Sequence, residues 1–168
     1  MERRLFALDH NFPEPIVLAI AKAIPAAELV PVRAIGPELA ELEDWELLAR
    51  LHRDERTWDG LITNDVAMLS QPKEMTALSQ TRLTLVVARG EGSNPIRAAG
   101  VLLCHLNHIC RHTTHERAQI WDLRVKQKNA EEPRAFLERI AEKTGTTPEE
   151  LVRVNRLDAK LLGERRHS

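Results

Sequence analysis

The stretch Leu61-Ile62-Thr63-Asn64-Asp65-Val66-Ala67-Met68-Leu69 decides how this chain is read. An apolar run, Gly60-Leu61-Ile62, stops at three small polar residues, and a second apolar run begins at Val66. The first run suits a buried strand and the second a helix. Asp65 can cap that helix, because its carboxylate can accept from backbone N–H groups that the first turn leaves unpaired. An acid just beyond the carboxyl end of a strand also stands where an open parallel sheet binds ligands. The two roles are compatible, and the neighbouring segments decide whether Asp65 has company.

Those segments alternate. Strands are expected over Arg4 to Leu8, Glu28 to Val32, Trp58 to Thr63, Arg82 to Ala88 and Ala118 to Val125. Pro31 places the second of them at a sheet edge, since proline cannot donate to a ladder. Helices are expected over Pro13 to Ile24, Pro37 to Arg53, Val66 to about Gln80 with an interruption near Pro72, and Pro95 to about His112 after an Asn94 cap. Strands that alternate with helices predict a three-layer α/β/α fold with a central, mainly parallel sheet. This domain is expected over residues 1–125. A helical hairpin extension is expected over 126–168: Glu131 to Lys143, a break at Gly145, then a helix opened by Thr147-Pro148-Glu149-Glu150. Residues 140–157, IAEKTGTTPEELVRVNRL, faintly resemble the helical pair of LysM modules, without that fold's strands.

A chain of 168 residues with 43% apolar residues can bury a real core. Its net charge of -1 hides an asymmetry: residues 1–80 carry 8 Lys and Arg against 14 Asp and Glu, and residues 81–168 carry 16 against 11. An acidic half beside a basic half suits a cation site next to a polyanion-binding surface. Cys104 and Cys110, six apart, form neither a disulfide framework nor a C-x-x-C pair. The opening apolar stretch is too short for a signal peptide and no run is long enough to span a membrane, so a cytoplasmic protein with no membrane partner is expected.

Asp9 follows the first strand and Asp65 the third, while Glu41, Glu43 and Asp44 fall in the early turns of the helix after the second. Each acid has a structural role open to it, as a cap or as a favourable charge at a helix start. Three carboxylates at one sheet edge would repel one another unless a cation neutralised them, and oxygen-only ligands suit Mg2+ or Mn2+. Asn11, Thr63 and Asn64 could orient these carboxylates or a metal-bound water.

The set Asp9-His10-Asn11-Phe12-Pro13, the acid-opened helix from Asp44, and Thr63-Asn64-Asp65 together resemble the PIN-domain nucleases, above all a short PIN-like group with a D-x-N-x-P motif. The resemblance covers residues 4 to 112. It implies a metal-dependent endoribonuclease, of the kind used as VapC-type toxins and as RNA-processing factors. Asp9, Asp44 and Asp65 would then be the catalytic, metal-binding acids, Glu43 the alternative to Asp44, and Thr63 the hydroxyl that orients the last acid. Many members carry a fourth acid after the fourth strand. Here that segment is Ala88-Arg89-Gly90-Glu91-Gly92, in which Glu91 alone could serve. The expected partners are RNA, a small antitoxin protein and a second copy of the chain.

The expected chemistry is metal-assisted phosphodiester cleavage. Arg82, Arg89, Arg97 and Arg111 are the candidates for gripping the RNA backbone. With no Tyr, three Trp and three Phe, base stacking on exposed aromatics is not expected. On a helix, His105, His108, His112 and His115 would share an arc of about 80°, either as a polar face or as a soft-metal site. Two rival readings stand beside the nuclease. One is a PIN-like module that binds RNA or protein without cutting. The other is a receiver-type phospho-acceptor domain, to which Lys126 would belong, although Asp9 is followed by His10 and Asn11 rather than by a second acid.

Overall fold

A computed structural model describes residues 3–90, 94–124 and 129–163. Five strands, β1 (Arg4–Leu8), β2 (Ala27–Pro31), β3 (Gly60–Thr63), β4 (Thr84–Ala88) and β5 (Gln119–Leu123), form one parallel sheet in the order β2-β1-β3-β4-β5. The expected three-layer α/β/α fold is observed, with α1 (Glu14–Ala21), α2 (Val32–Ile35), α3 (Asp44–Arg53), α4 (Pro72–Ser79), α5 (Pro95–His112), α6 (Pro133–Thr144), α7 (Pro148–Asn155) and α8 (Ala159–Leu162). Strand β2, with Pro31 at its end, lies at an edge, as proline requires.

Side chains alternate across the pleat and divide the core in two. Leu5, Ala7, Leu61, Leu85, Val87 and Ile120 face α3, α4 and α6. Phe6, Leu8, Ile62, Val86, Trp121 and Leu123 face α1 and α5. Phe136, Leu137 and Ile140 of α6 belong to the first of these cores, so the hairpin helix packs on the sheet domain. An isolated antiparallel bridge, Ile120 to Glu131, leads into it. Helix α6 ends on Gly145 in the left-handed region at φ 68°, which a residue without Cβ adopts at little cost. The Thr147 hydroxyl caps α7 by accepting from Glu150 N, but Glu150 turns its carboxylate to Arg153, so only half of the expected capping box forms.

Two features of connectivity place the site. The chain leaves β1 for β2 on one side and returns to β3 on the other, so the carboxyl ends of β1 and β3 flank the point where strand order reverses. Helix α5 then steps from β4 to β5 in the same direction as α4 steps from β3 to β4, but on the opposite face. The two crossovers therefore have opposite hands, against the strong right-handed preference of such units. The exception carries the start of α5 over the β1–β3 edge, where Asn94, Pro95 and Ala98 share a cleft with Asn11, Asn64 and Asp65.

The long helix expected over Pro37 to Arg53 is corrected. Residues Pro37–Glu41 form a 3-10 turn, Leu42 is extended, and α3 begins only at Asp44 with Glu43 as its N-cap. The capping interaction explains the break: Glu43 N donates to Glu46 Oε2 at 3.0 Å, which fixes the start of the helix. Among the described residues no helix is long and apolar enough to cross a membrane.

Candidate metal and phosphodiester site

The site begins with Asp9, buried just past the end of β1. Its Oδ2 accepts from Thr63 Oγ1 at 2.8 Å and from Asn11 Nδ2 at 3.2 Å. Its Oδ1 accepts from His10 N at 2.7 Å and lies 2.8 Å from His10 Nδ1. The Thr63 hydroxyl, itself buried, also accepts from Asp65 N at 3.0 Å. Asn64 Nδ2 donates to Asn11 O at 3.1 Å. The two loops after β1 and β3 are thus laced together by the polar residues that the sequence singles out.

Asp65 also serves as the cap, its Oδ1 accepting from Ala67 N at 2.8 Å, although the first turn is a 3-10 turn over Val66–Ser70. Asp44 is half-buried at the start of α3, and its carboxylate accepts no hydrogen bond among the described residues. Burial, followed by the charges of Asp9, Asp65, Glu74 and Glu43, pushes its carboxyl up to about 6. The charges of Asp9 and Asp65 thus reach Asp44. Asp44 is half-buried and feels the charges of Asp9 and Asp65, Glu43 is the exposed N-cap of α3, and Glu41 lies outside α3. Glu91 lies outside the described residues.

Glu74 is the acid that sequence reading missed. It sits in the first turn of α4, which Pro72 restarts at the same edge of the sheet. The interruption at Pro72 was the available signal, because a new helix start brings its early residues to the carboxyl ends of the strands.

No protein-family model matches this chain, and no curated protein or solved structure shows significant similarity to it.

The donor set suits a hard divalent cation in chemistry: carboxylate oxygens, partly buried, whose negative charges act on one another. Its geometry is not that of a closed ligand cage, since no three His, Cys, Asp or Glu side chains among the described residues are placed to hold one ion. Asp9 and Asp65 are anchored by hydrogen bonds, and Asp44 is the acid left without one.

The basic candidates divide by position. Arg89 follows β4 at the site's edge of the sheet, but it forms a two-pronged ion pair with buried Asp122. Arg97 lies in the first turn of α5, at the same edge. Arg82 precedes β4 and Arg111 ends α5, so both lie at the opposite, amino edge and are not brought to the acids.

The histidine run is corrected at one end. Helix α5 stops at His112, and His115 beyond it places Nε2 3.0 Å from Asp59 Oδ1. His105, His108 and His112 do share a cleft, with Gln119 and Trp121. The rings of His108 and His112 lie 4.2 Å apart, and His112 Nδ1 is 2.8 Å from the His108 carbonyl oxygen. That oxygen can only accept, so Nδ1 carries the proton and is not a metal ligand. Cys110 is no nucleophile: burial, and then the charge of Asp59, push its thiol up to about 11.

Proposed function

We propose that this protein is a metal-dependent endoribonuclease of the PIN-like type. The observation that carries the reading is that Asp9 and Asp65 follow the two strands that flank the strand-order switch, and that burial, followed by the charges of Asp9, Asp65, Glu74 and Glu43, pushes the Asp44 carboxyl up to about 6. Asp9, Asp44 and Asp65 would hold Mg2+ or Mn2+, with Glu74 and Glu43 adding negative charge. When bound, such an ion supplies an activated water and stabilises charge on the leaving oxygen. Thr63 and Asn11 keep the Asp9 carboxylate oriented, and Thr63 fixes the backbone of Asp65. A role as the toxin of a toxin–antitoxin pair, with a small antitoxin partner, is one setting that suits this reading.

The test is cleavage of single-stranded RNA with Mg2+ or Mn2+ added to metal-stripped protein. Cleavage should appear with the metal and be lost in Asp9→Asn and Asp65→Asn. Calorimetry showing no metal binding at millimolar concentrations, with RNA binding intact, would favour the second reading, a PIN-like RNA-binding module that does not cut. The absence of a preformed three-ligand cage among the described residues speaks for that second reading. The receiver reading is weakened by α5. A doubly wound sheet with uniformly right-handed crossovers would place that helix beside α4, and Lys126 lies outside the described residues.

A further inference from the structure

A second cleft, of about 520 Å3, lies between the carboxyl ends of β4 and β5, the turn after Asp65, and α6. Val66 and Ala67 line both this cleft and the one of about 490 Å3 that contains Asn11, Asn64 and Asp65. The two clefts therefore adjoin across the two residues that follow Asp65. We propose that the α6 cleft holds an RNA strand by its phosphates as it leaves the acidic site, an inference that rests on reading that site as RNA-cleaving.

The charge of the cleft supports a polyanion. Asp122 at its floor is buried and cancelled by the two-pronged contact from Arg89. Arg124 reaches the same carboxylate at 3.2 Å, yet its side chain remains 60% exposed. From the opposite wall, Arg139 and Lys143, one helical turn apart on α6, line the cleft. Arg139 pairs with Glu131 and lies over the Phe136 ring at 4.6 Å, so its guanidinium is held in place rather than trailing in solvent. Lys143 has no ion-pair partner among the described residues, and Glu142 is the one further carboxylate in the lining. Cations on two facing walls suit a chain of phosphates passing between them. Phe136 is buried beneath Arg139 and offers no face for a base, so the grip acts on the backbone and tolerates any sequence.

The hairpin helix thereby gains a role besides packing, and the cations that matter differ from those at the sheet's amino edge. Binding is measured by fluorescence anisotropy, with a labelled single-stranded oligoribonucleotide of about 12 nucleotides, in chelator so that nothing is cut. Arg124→Gln combined with Lys143→Gln should raise Kd at least about tenfold near 100 mM salt and lower the salt slope by about 1.4, since each phosphate contact to a single strand contributes about 0.7. Arg82→Gln combined with Arg111→Gln should change Kd less than about twofold. A native Kd and slope in the first double variant overturns the inference. Failure of the unaltered protein to bind the oligonucleotide also overturns it and leaves the cleft to an acidic protein segment. Weakened binding in the first variant, with no metal-dependent cleavage by the unaltered protein, keeps the cleft as an RNA site and removes the nuclease reading alone. Cleavage that depends on Asp9, with native KM in the first variant, removes the cleft alone.

Discussion

The Thr63 hydroxyl donates to Asp9 Oδ2 at 2.8 Å while accepting from the backbone of Asp65 at 3.0 Å. One buried hydroxyl thus ties the acid after β1 to the loop that carries the acid after β3. The two strands are neighbours in the sheet, paired from Phe6 to Gly60 through Leu8 to Ile62. Thr63 extends that pairing by one side-chain contact at the point where the backbone ladder ends.

Thr63→Val keeps the shape and removes the hydroxyl. Asp65 N loses its acceptor and Asp9 loses a donor, which should cost about 1–3 kcal/mol. Urea unfolding should show a lower midpoint with an unchanged slope. Metal-dependent RNA cleavage should fall by at least about tenfold, and Thr63→Ser should restore most of both.

Asp44 sets a pH dependence. Its carboxyl is raised from 3.8 to about 6, first by burial and then by the surrounding acids, so the folded state binds this proton more tightly than the unfolded chain does. The resulting cost to the fold is absent below pH 3.8, grows as pH rises towards 6, and is complete above it. Solvent screening of a half-buried group reduces that cost to about 1–2 kcal/mol. Asp44→Asn should therefore raise Tm at pH 7 by about 2–6 °C, and the gain should vanish near pH 4. Millimolar Mg2+ should raise the Tm of the unaltered protein at pH 7 and leave Asp44→Asn nearly unmoved. Differential scanning fluorimetry across pH, with and without the metal, reads both effects.

The strands were legible because their apolar runs are short, bounded and rich in β-branched residues, and their order of appearance led to a parallel sheet. Asp9, Thr63 and Asp65 were legible because the first residues after a parallel strand must lie at one edge. Glu74 was not, since its position depends on Pro72 ending one turn and starting another. The start of α3 was misplaced because leucine spacing continues through Pro37–Glu41, and periodicity does not distinguish a 3-10 turn from the helix that follows. The four candidate arginines fall at two edges of the sheet for a topological reason. Arg82 lies at the amino edge because it precedes β4, Arg111 lies there because α5 runs the length of the sheet before it, and Arg124 and Arg139 line one cleft only through the tertiary packing of α6.

Two glycines should respond in opposite ways to alanine. A Cβ on Gly60 would fall 1.8 Å from the backbone oxygen of Thr84, its partner in the β3–β4 ladder. Backbone cannot move aside without breaking that ladder, so Gly60→Ala should cost at least about 3 kcal/mol. Gly100 sits within α5, and a Cβ added there would meet nothing within 4 Å. Gly100→Ala should therefore stabilise the fold by about 0.5–1 kcal/mol through helix propensity alone. Thermal or urea unfolding of the pair checks the sign of each.

Arg89 and Asp122 give a sharper test of what a functional-looking cation does. Arg89 reaches Asp122 with both Nε and Nη2, and Asp122 is buried at 5% exposure. Removing the cation leaves a buried carboxylate with only the mostly exposed Arg124 to neutralise it. Arg89→Met should then cost about 3–5 kcal/mol, because an unpaired buried charge is penalised more than the pair itself is worth. Asp122→Leu in the same chain removes the orphaned charge and should recover more than half of that loss. If Arg89 acted only on RNA, Arg89→Met would leave the urea midpoint unchanged and the second substitution would recover nothing. A double-mutant cycle in urea, run beside the anisotropy titration, separates the two roles: the coupling energy belongs to the ion pair, and any residual loss of RNA affinity in the double variant belongs to the cleft.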